Sequence, residues 1–283
     1  MGARSSNTNR DGSRSQSQNR SLNGHLAYFY NSNLNAGTIG PNQFAGNGIQ
    51  ATGGDIEGTF MDPTGATKYK YHIYTNPGAS TFVVSASSAN PNYPSDVTYL
   101  IIGGGAGGGG NLGGAGGAGG ARTNLSGHPK AAPSYTVTAG SYVATVGAGG
   151  EGGVSAPGAT DGEAGGNTDF YPPGVSYPDT AFIRGAGGGV GGAASNQGGP
   201  GGSGGGTNGY DSDSGGGVIT DPNHPQPQGN PGGQGGGGGP NYGAGGSGGW
   251  SGSGGQGGLA EKGGDGGAGL QCNIIPSPPA VNS

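Results

Sequence analysis

Residues 243–258 read GAGGSGGWSGSGGQGG, with Gly at every third position from Gly243 to Gly258. The same period runs through residues 104–119, GGAGGGGNLGGAGGAG, and returns at 198–204 and 229–238. Three residues per turn is the period of a polyproline II helix. Glycine once per turn leaves one edge without side chains, so neighbouring helices can approach and hydrogen-bond through their backbones. The tracts predict a polyglycine II bundle. The alternative is a flexible Gly/Ser linker, but a linker has no need for this period.

The composition limits what else can hold such a chain together. Of its 283 residues, 77 are Gly and 20 are Pro, which alone is typical of low complexity. Only 9% of residues are charged and the net charge is −5, whereas ordinary disordered segments are strongly charged. The single Cys272 excludes an internal disulfide framework. Backbone hydrogen bonds are therefore expected to carry much of the fold.

Strong hydrophobic residues concentrate before the later tracts and follow a strand pattern. Residues 67–75, TKYKYHIYT, place Tyr69, Tyr71 and Ile73 on one face and Lys68, Lys70, His72 and Tyr74 on the other. TFVVS at 81–85 predicts a second strand. VTYLII at 97–102 is continuously apolar, which favours a central third strand. Residues 135–138 and 142–146 predict a fourth and a fifth, joined by 139–141.

No stretch shows a helical period with caps. The predicted fold is mainly β plus polyglycine II: a small antiparallel β-sandwich that leads into a glycine-rich bundle with long loops and almost no helix. Residues 1–50 form an extended docking arm, and 51–150 the β-structured part with the first glycine tract. Residues 151–270 form the polyglycine II region with exposed loops, and 271–283 a C-terminal tail.

The arm differs in charge from the rest of this acidic chain. We expect it to dock on a protein partner through basic and aromatic residues, namely Arg4, Arg10, Arg14, Arg20, Tyr28, Phe29 and Tyr30. It is too polar for a signal peptide, and no apolar run reaches the length of a membrane span. We therefore expect synthesis in the cytoplasm and no membrane insertion. The acidic net charge argues against nucleic-acid binding.

Enzyme motifs are weak in this sequence. Gly103, Gly105 and Gly108 fit G-x-G-x-x-G after a strand, but a dinucleotide site also needs a following helix and an acidic residue about twenty positions on. The first acid after the strand is Glu151, and residues 103–121 are mostly Gly. The histidines show no nucleophile–base or metal-ligand spacing. We predict no enzymatic activity, cofactor or metal, with a calcium loop at Asp211 and Asp213 as an open alternative.

The insertions between the tracts carry the residues that are typical of binding loops. Tyr offers a broad contact face with two side-chain torsions, and Pro lowers the ordering cost of a loop. The alternative is that these residues merely pack against the ends of glycine helices. The candidate receptor residues lie in loops 171–179, 207–213 and 221–228, and they are Tyr171, Tyr177, Tyr210, Asp211, Asp213 and His224.

Three motifs occur in a recognisable order: YKYHIYTNPGASTFVV (69–84), VTYLIIGGGAGGGG (97–110) and VTAGSYVATVGAGG (137–150). This order resembles the glycine-rich domain of bacteriophage tail-fibre and virion-surface proteins, particularly of marine phages. The tracts are also similar to the distal adhesins of T-even phages, in which polyglycine II helices stack into a sandwich and the loops contact the host receptor. The resemblance places that role on the three loops named above.

The resemblance implies a non-enzymatic virion protein, made in the host cytoplasm and located on the tail or particle surface. Its expected partners are other virion proteins, through residues 1–50, and a host cell-surface glycan or protein. We expect a homo-oligomer, with a trimer as one option. A capsid or tail decoration protein without a receptor is the alternative function. Ice or mineral binding is a third, which would require a regular Thr/Ala array on the tract faces.

Overall fold

The computed structural model describes residues 48–61, 68–88, 95–222, 224, 226–237, 239, 242–258 and 262–274. The chain divides into two compact units. The larger comprises Thr52–Val83, Val97–Tyr135 and Ser141–Ser283, and the described part of the smaller lies at 48–51, 84–88, 95–96 and 136–140. The described residues form no α-helix, and hence none long and apolar enough to cross a membrane.

Eleven strands occur in the described residues, and the mainly β, almost helix-free prediction is confirmed. The strands are β1 Gln50–Thr52, β2 Ile56–Met61, β3 Lys68–Ile73, β4 Gly78–Ala86, β5 Asp96–Val97, β6 Leu100–Ile102, β7 Ala121–Thr123, β8 Tyr135–Thr136, β9 Gly140–Val146, β10 Thr168–Tyr171 and β11 Ile183–Gly185. They form a five-stranded sheet in the order β1-β4-β9-β10-β11 and three two-stranded sheets, β2-β3, β5-β8 and β6-β7.

An aromatic core lies on the five-stranded sheet within the larger unit. Phe170 of β10 pairs in register with Ala144 of β9, and its ring stacks on Tyr142 with centroids 5.4 Å apart. Phe82 of β4 meets both rings edge-on, and Tyr135 contacts Phe170 at 5.7 Å. Four aromatic side chains are thus gathered where one face of a sheet can bury them.

The hairpin of β2 and β3 has the two faces that the alternation predicts. Phe60 pairs with Tyr69, and their rings stack 5.3 Å apart on one face. On the other face Lys70 Nζ lies 3.1 Å from Glu57, and His72 Nδ1 lies 3.4 Å from the same carboxylate.

The prediction of one central strand at 97–102 is wrong, because the segment forms β5 and β6 in separate two-stranded sheets. Between β5 and β6, the side chains of Thr123 and Asn124 form hydrogen bonds with the backbone of Tyr99. Tyr99 N–H donates to Asn124 Oδ1 (2.8 Å), and Tyr99 O accepts from Thr123 Oγ1 (2.7 Å). The predicted fourth and fifth strands correspond to β8 and β9, which lie in different sheets. β8 pairs with β5, whereas β9 lies in the five-stranded sheet.

Beyond the strands, the glycine tracts bond to one another at intervals of three residues, as polyglycine II helices require. Tract 103–110 lies antiparallel to tract 113–120, and its donor–acceptor pairs are Gly103 N–H to Gly120 O, Ala106 N–H to Gly117 O and Gly109 N–H to Gly114 O, at 2.9–3.0 Å. The next residue of each triplet bonds to tract 160–166, through Gly104 N–H to Gly166 O, Gly107 N–H to Glu163 O and Gly110 N–H to Thr160 O. Tracts 147–153 and 187–192 run parallel to tract 103–110, and their N–H groups donate hydrogen bonds to carbonyls of residues 104–108.

Burial follows the same period. Tract 201–209 is buried throughout, so it lies in the interior of the bundle. In tract 262–269 only Gly264 and Gly267 are half-buried and the residues between them are exposed, so this tract forms an edge. Tract 147–153 has the same pattern, with Gly147, Gly150 and Gly153 facing inward.

Glycine is required where tracts touch. A Cβ at Gly104 would lie 2.0 Å from Ala148 O, and one at Gly107 would lie 1.8 Å from Glu151 O. A Cβ at Gly105, whose α-carbon faces outward, would meet nothing closer than 3.9 Å. The triplet period in the sequence therefore marks the contact edge of each helix, and backbone hydrogen bonds take the place of a hydrophobic core.

The antiparallel registers give the bundle two ends. The proximal end is where Gly103 follows β6, and the distal end is where Gly110 lies. Tracts 103–110, 147–153, 187–192, 202–207, 229–237 and 252–258 run outward, and tracts 113–120, 160–167, 198–201, 214–217, 243–249 and 262–269 return. The fully described distal turns are 111–112, 154–159, 193–197 and 208–213. Loop 168–186 and the described residues of loop 218–228 (218–222, 224 and 226–228) belong to the proximal end.

Candidate recognition surfaces at the two ends of the glycine bundle

Hydrogen bonds join the distal turns to one another. Asn111 N–H donates to Ser155 Oγ (3.2 Å), and Gly209 N–H donates to Leu112 O (2.8 Å). Asn208 Nδ2 donates to Asn196 O at 2.6 Å. Turns 111–112, 154–159, 193–197 and 208–213 are thereby linked in a continuous surface, which we call the distal surface.

Carboxylates hold two of these turns in place. Asp161 Oδ1 accepts from Ala193 N–H (2.7 Å), and Asp161 Oδ2 accepts from Asn196 Nδ2 (2.9 Å). Asp213 Oδ2 accepts from Gln197 Nε2 at 2.8 Å. The acids are bound to amide donors, which fixes the turn conformations without an ion pair.

Tyr210 is the exposed aromatic residue of the distal surface, with 42% of its area accessible. Its N–H donates to Asn208 Oδ1 (2.7 Å), and its ring meets Tyr242 edge-on at 5.3 Å. Asp211, the next residue, accepts from Gly237 N–H through its carbonyl at 3.3 Å. The backbone on both sides of Tyr210 is held while its ring faces solvent.

Among the residues that the structure describes, three non-glycine residues have a positive φ, and all three lie in distal turns: Asn111 (50°), Leu112 (56°) and Ala194 (49°). Left-handed backbone costs an ordinary L-residue about 1–2 kcal/mol, and glycine adopts it without that cost. In a chain with 77 glycines, non-glycine residues at these positions are noteworthy.

Arg122 organises the proximal end. Its guanidinium is buried and donates to three carbonyls, those of Arg184 (3.1 Å), Gln226 (3.3 Å) and His224 (2.9 Å). It also lies 3.4 Å from Asp221 Oδ2, whose side chain is buried too. Burial lowers the pKa of Arg122, and the Asp221 carboxylate opposes that shift. One buried cation thus fastens loop 218–228 to strands β7 and β11.

The histidine of this loop lies inside the same cluster. His224 Nδ1 is 3.4 Å from Asp221 Oδ2, and its side chain is largely buried. Burial and the nearby Arg122 charge lower the pKa of His224, with Asp221 acting in the opposite direction. The neutral imidazole is therefore the favoured form of His224 near neutral pH.

Tyr171 and Tyr177 have aromatic and cationic neighbours. Tyr171 stacks on the buried Phe182 with centroids 4.4 Å apart, and Tyr177 meets the same ring edge-on at 5.7 Å. The Arg184 guanidinium lies 4.4 Å above the Tyr177 ring and binds both oxygens of Asp169 at 2.7 and 2.8 Å. Burial raises the pKa of Tyr177. These contacts give the two tyrosines a packing role at the proximal end.

The predicted receptor residues consequently fall into two groups. The structure brings Tyr210, Asp211 and Asp213 together at the distal end, and it places Tyr171, Tyr177 and His224 at the proximal end with Arg122. It does not bring the two groups together. The predicted docking residues of the arm, from Arg4 to Tyr30, lie outside the described residues.

Sequence reasoning did not single out Leu112 or Arg122. Leu112 had a signal, since Asn-Leu interrupts an unbroken run of Gly and Ala. Arg122 had a weaker one, as a lone cation directly after a tract. Within the described residues, no three His, Cys, Asp or Glu side chains are placed to hold a metal ion. Residues 103–120, which contain the G-x-G-x-x-G match, form hydrogen-bonded glycine tracts instead of a turn and a helix.

Comparisons with known proteins give one result. Neither the curated proteins nor the solved structures contain a significant match to this chain. The family model of the glycine-rich domain matches residues 75–277, which is well over half of the sequence. The match covers the strands from β4 onward and every glycine tract of the bundle. The chain therefore belongs to the glycine-rich domain family.

Proposed function

We propose that this chain is a bacteriophage virion protein, a tail-fibre or adhesin component that presents the distal surface to the host cell. The observation that carries the proposal is the linkage of four distal turns around the exposed Tyr210. A bundle held by backbone hydrogen bonds fixes the positions of these turns, which lowers the entropy cost of binding. The resemblance of the motifs at 69–150 to phage tail-fibre proteins supplies the biological setting.

In this proposal the N-terminal arm attaches the protein to the virion. Residues 1–50, which carry the arginines and aromatic residues named above, dock on other virion proteins, and the protein acts on the virion surface as a homo-oligomer. It carries out no catalysis. The host partner is a cell-surface glycan or protein.

Adsorption of the purified chain to cells tests the proposal. The fluorescently labelled protein is mixed with a panel of marine bacteria, and bound fluorescence is measured by flow cytometry. We expect strain-selective adsorption that Tyr210→Ser removes. Tyr69→Ser is the matched control, because Tyr69 is 47% exposed but lies on the β2–β3 hairpin. Absence of adsorption to every strain, or equal losses in both variants, would contradict the proposal.

A capsid or tail decoration role is the second candidate. It is favoured by the packing of Tyr171 and Tyr177 on Phe182, which assigns these tyrosines to the fold. Phage particles whose gene encodes the protein without residues 1–24 distinguish the decoration role from the adhesin role. A decoration protein predicts particles that lose stability to heat or chelators. An adhesin predicts intact particles that no longer adsorb to cells.

A further inference from the structure

The distal surface exposes three uncharged side chains close together. Leu112, Val154 and Tyr210 are 40%, 55% and 42% exposed. Their backbones are adjacent: Gly209 N–H bonds to Leu112 O, and Asn111 N–H bonds to Ser155 Oγ, one residue from Val154. The exposed tyrosine and the two exposed aliphatic residues therefore lie in neighbouring turns of one surface, which we call the apolar platform of the bundle tip.

The backbone at Leu112 indicates that its side chain has a use. Its φ of 56° is a conformation that glycine adopts freely, and glycine precedes and follows the Asn-Leu pair on both sides. The leucine is 40% exposed, so a position in the hydrophobic core does not account for this strain. Strain of this kind is characteristic of ligand-contact positions.

The polar groups beside the platform favour one class of partner. Turns 111–112, 154–159, 193–197 and 208–213 contain Asp211 and Asp213 but no Lys, Arg or His. Asp213 is exposed and is held by Gln197, and Asn208 lies behind Tyr210. Carboxylate and amide groups next to an exposed ring suit a ligand with hydroxyl donors around an apolar C–H face. The carboxylates of these four turns disfavour a polyanionic ligand.

We infer that the distal surface binds a neutral glycan, with a pyranose ring stacked on Tyr210 against Leu112 and with its hydroxyls donating to Asp211 and Asp213. This assignment rests on the proposed function and names its ligand class. Leu112 and Val154 set which sugars fit, because their side chains limit the space beside the ring. A basic or apolar protein surface is the competing partner, and the experiment below separates the two.

The test uses the full chain on a microarray of neutral and acidic bacterial oligosaccharides, followed by titration calorimetry with the best neutral oligosaccharide. We expect binding to neutral oligosaccharides that Tyr210→Ala weakens at least about tenfold. Leu112→Gly separates a contact role from a structural one. It should weaken binding roughly three- to tenfold while leaving the melting temperature unchanged or higher, since glycine relieves the left-handed strain. Tyr69→Ala and Ile219→Ala, at similarly exposed positions away from the distal surface, should bind as the unmodified chain does.

Several results would overturn the inference: no glycan binding, binding to acidic glycans alone, or neutral-glycan binding that Tyr210→Ala and Leu112→Gly leave unchanged. Cells treated with periodate or with proteinase K separate this failure from that of the proposed function. If adsorption survives periodate but not proteinase K, the adhesin function stands and the ligand is a protein instead of a glycan. Adsorption lost after periodate alone supports the glycan. Absence of adsorption to untreated cells refutes both.

Discussion

Substituting Gly107 by Ala tests whether backbone contact between glycine helices holds this protein together. A Cβ at Gly107 would lie 1.8 Å from Glu151 O and 2.4 Å from Glu151 C, and real Cβ contacts essentially never fall below 3.0 Å. Tract 147–153 must then retreat by roughly 1 Å, and no flexible side chain can absorb the shift, because both clashing atoms are backbone. The movement stretches two bonds that join these tracts, Gly150 N–H to Gly105 O (2.9 Å) and Gly153 N–H to Gly108 O (2.8 Å).

The cost follows from these contacts. Overpacking costs about 1–3 kcal/mol, and each weakened hydrogen bond adds up to about 1 kcal/mol. The lower entropy of the unfolded chain after Gly→Ala offsets about 0.4–1 kcal/mol. Gly107→Ala should therefore destabilise the fold by about 2–4 kcal/mol. At about 2–4 °C per kcal/mol for a domain of this size, the melting temperature should fall by about 5–15 °C.

Gly105→Ala is the matched control, two residues away in the same tract. Its Cβ would meet only Gly117 O, at 3.9 Å, and its φ lies outside the left-handed region. Gly105→Ala also lowers the conformational entropy of the unfolded chain, but it introduces no clash in the folded state. The melting temperature of this variant should therefore be unchanged or slightly higher. Both variants are measured by differential scanning calorimetry, with amide exchange of residues 147–153 as a local readout. Equal melting temperatures for the two variants would refute the close-packed bundle.

Three further predictions test other parts of the structure. In calorimetry, Gly246→Val should destabilise the protein far more than Gly252→Val. An added Cβ would lie 2.1 Å from Asp265 O at the first position and 3.1 Å from Ala268 N at the second. Similar losses of stability in the two variants would argue against the register of the last tracts. Arg122→Met should cost about 3–5 kcal/mol in chemical denaturation because it leaves Asp221 buried without its cation, and Arg122→Met/Asp221→Asn should recover part of that loss. Stability should decrease as the pH falls below about 6.5, because the pKa of His224 is lowered in the folded state and the unfolded chain binds the proton more tightly. His224→Gln should reduce the change in melting temperature between pH 7 and pH 5. The same pH dependence of the melting temperature in this variant and in the unmodified chain would contradict this role.

The sequence predicts the bundle better than it predicts the strands. Glycine at positions 104, 107 and 110 marks the tract contacts because a contact edge tolerates no side chain, which leaves a direct trace in the sequence. The apolar run at 97–102, in contrast, is a misleading sequence pattern. Its length favours a single strand, but Thr123 and Asn124, about 25 residues later, hydrogen-bond the backbone of Tyr99 and interrupt it. Such side-chain-to-backbone bonds depend on tertiary proximity that no local pattern encodes.

The candidate site shows the same division. The aromatic and acidic insertions could be picked out by composition, since they stand out against glycine. Their grouping could not, because which turns share an end depends on the direction of every tract between them. Loop 207–213 follows an outward tract and loop 221–228 follows a returning one, so the two lie at opposite ends although only a few residues separate them. Counting tract reversals along the chain would have separated them.

A fold built in this way restricts side chains along its tracts. Contact positions such as Gly107 and Gly246 reject even a methyl group, so tract side chains are confined to positions that face away from the neighbouring tracts. The turns are under no such restriction, because they need only return the chain to the next tract. Replacing Val154, which is 55% exposed in a distal turn, should therefore alter the distal surface without affecting the contacts that stabilise the bundle. Stability and recognition are carried by different residues, so the distal turns can change partner specificity while the glycine period stays fixed.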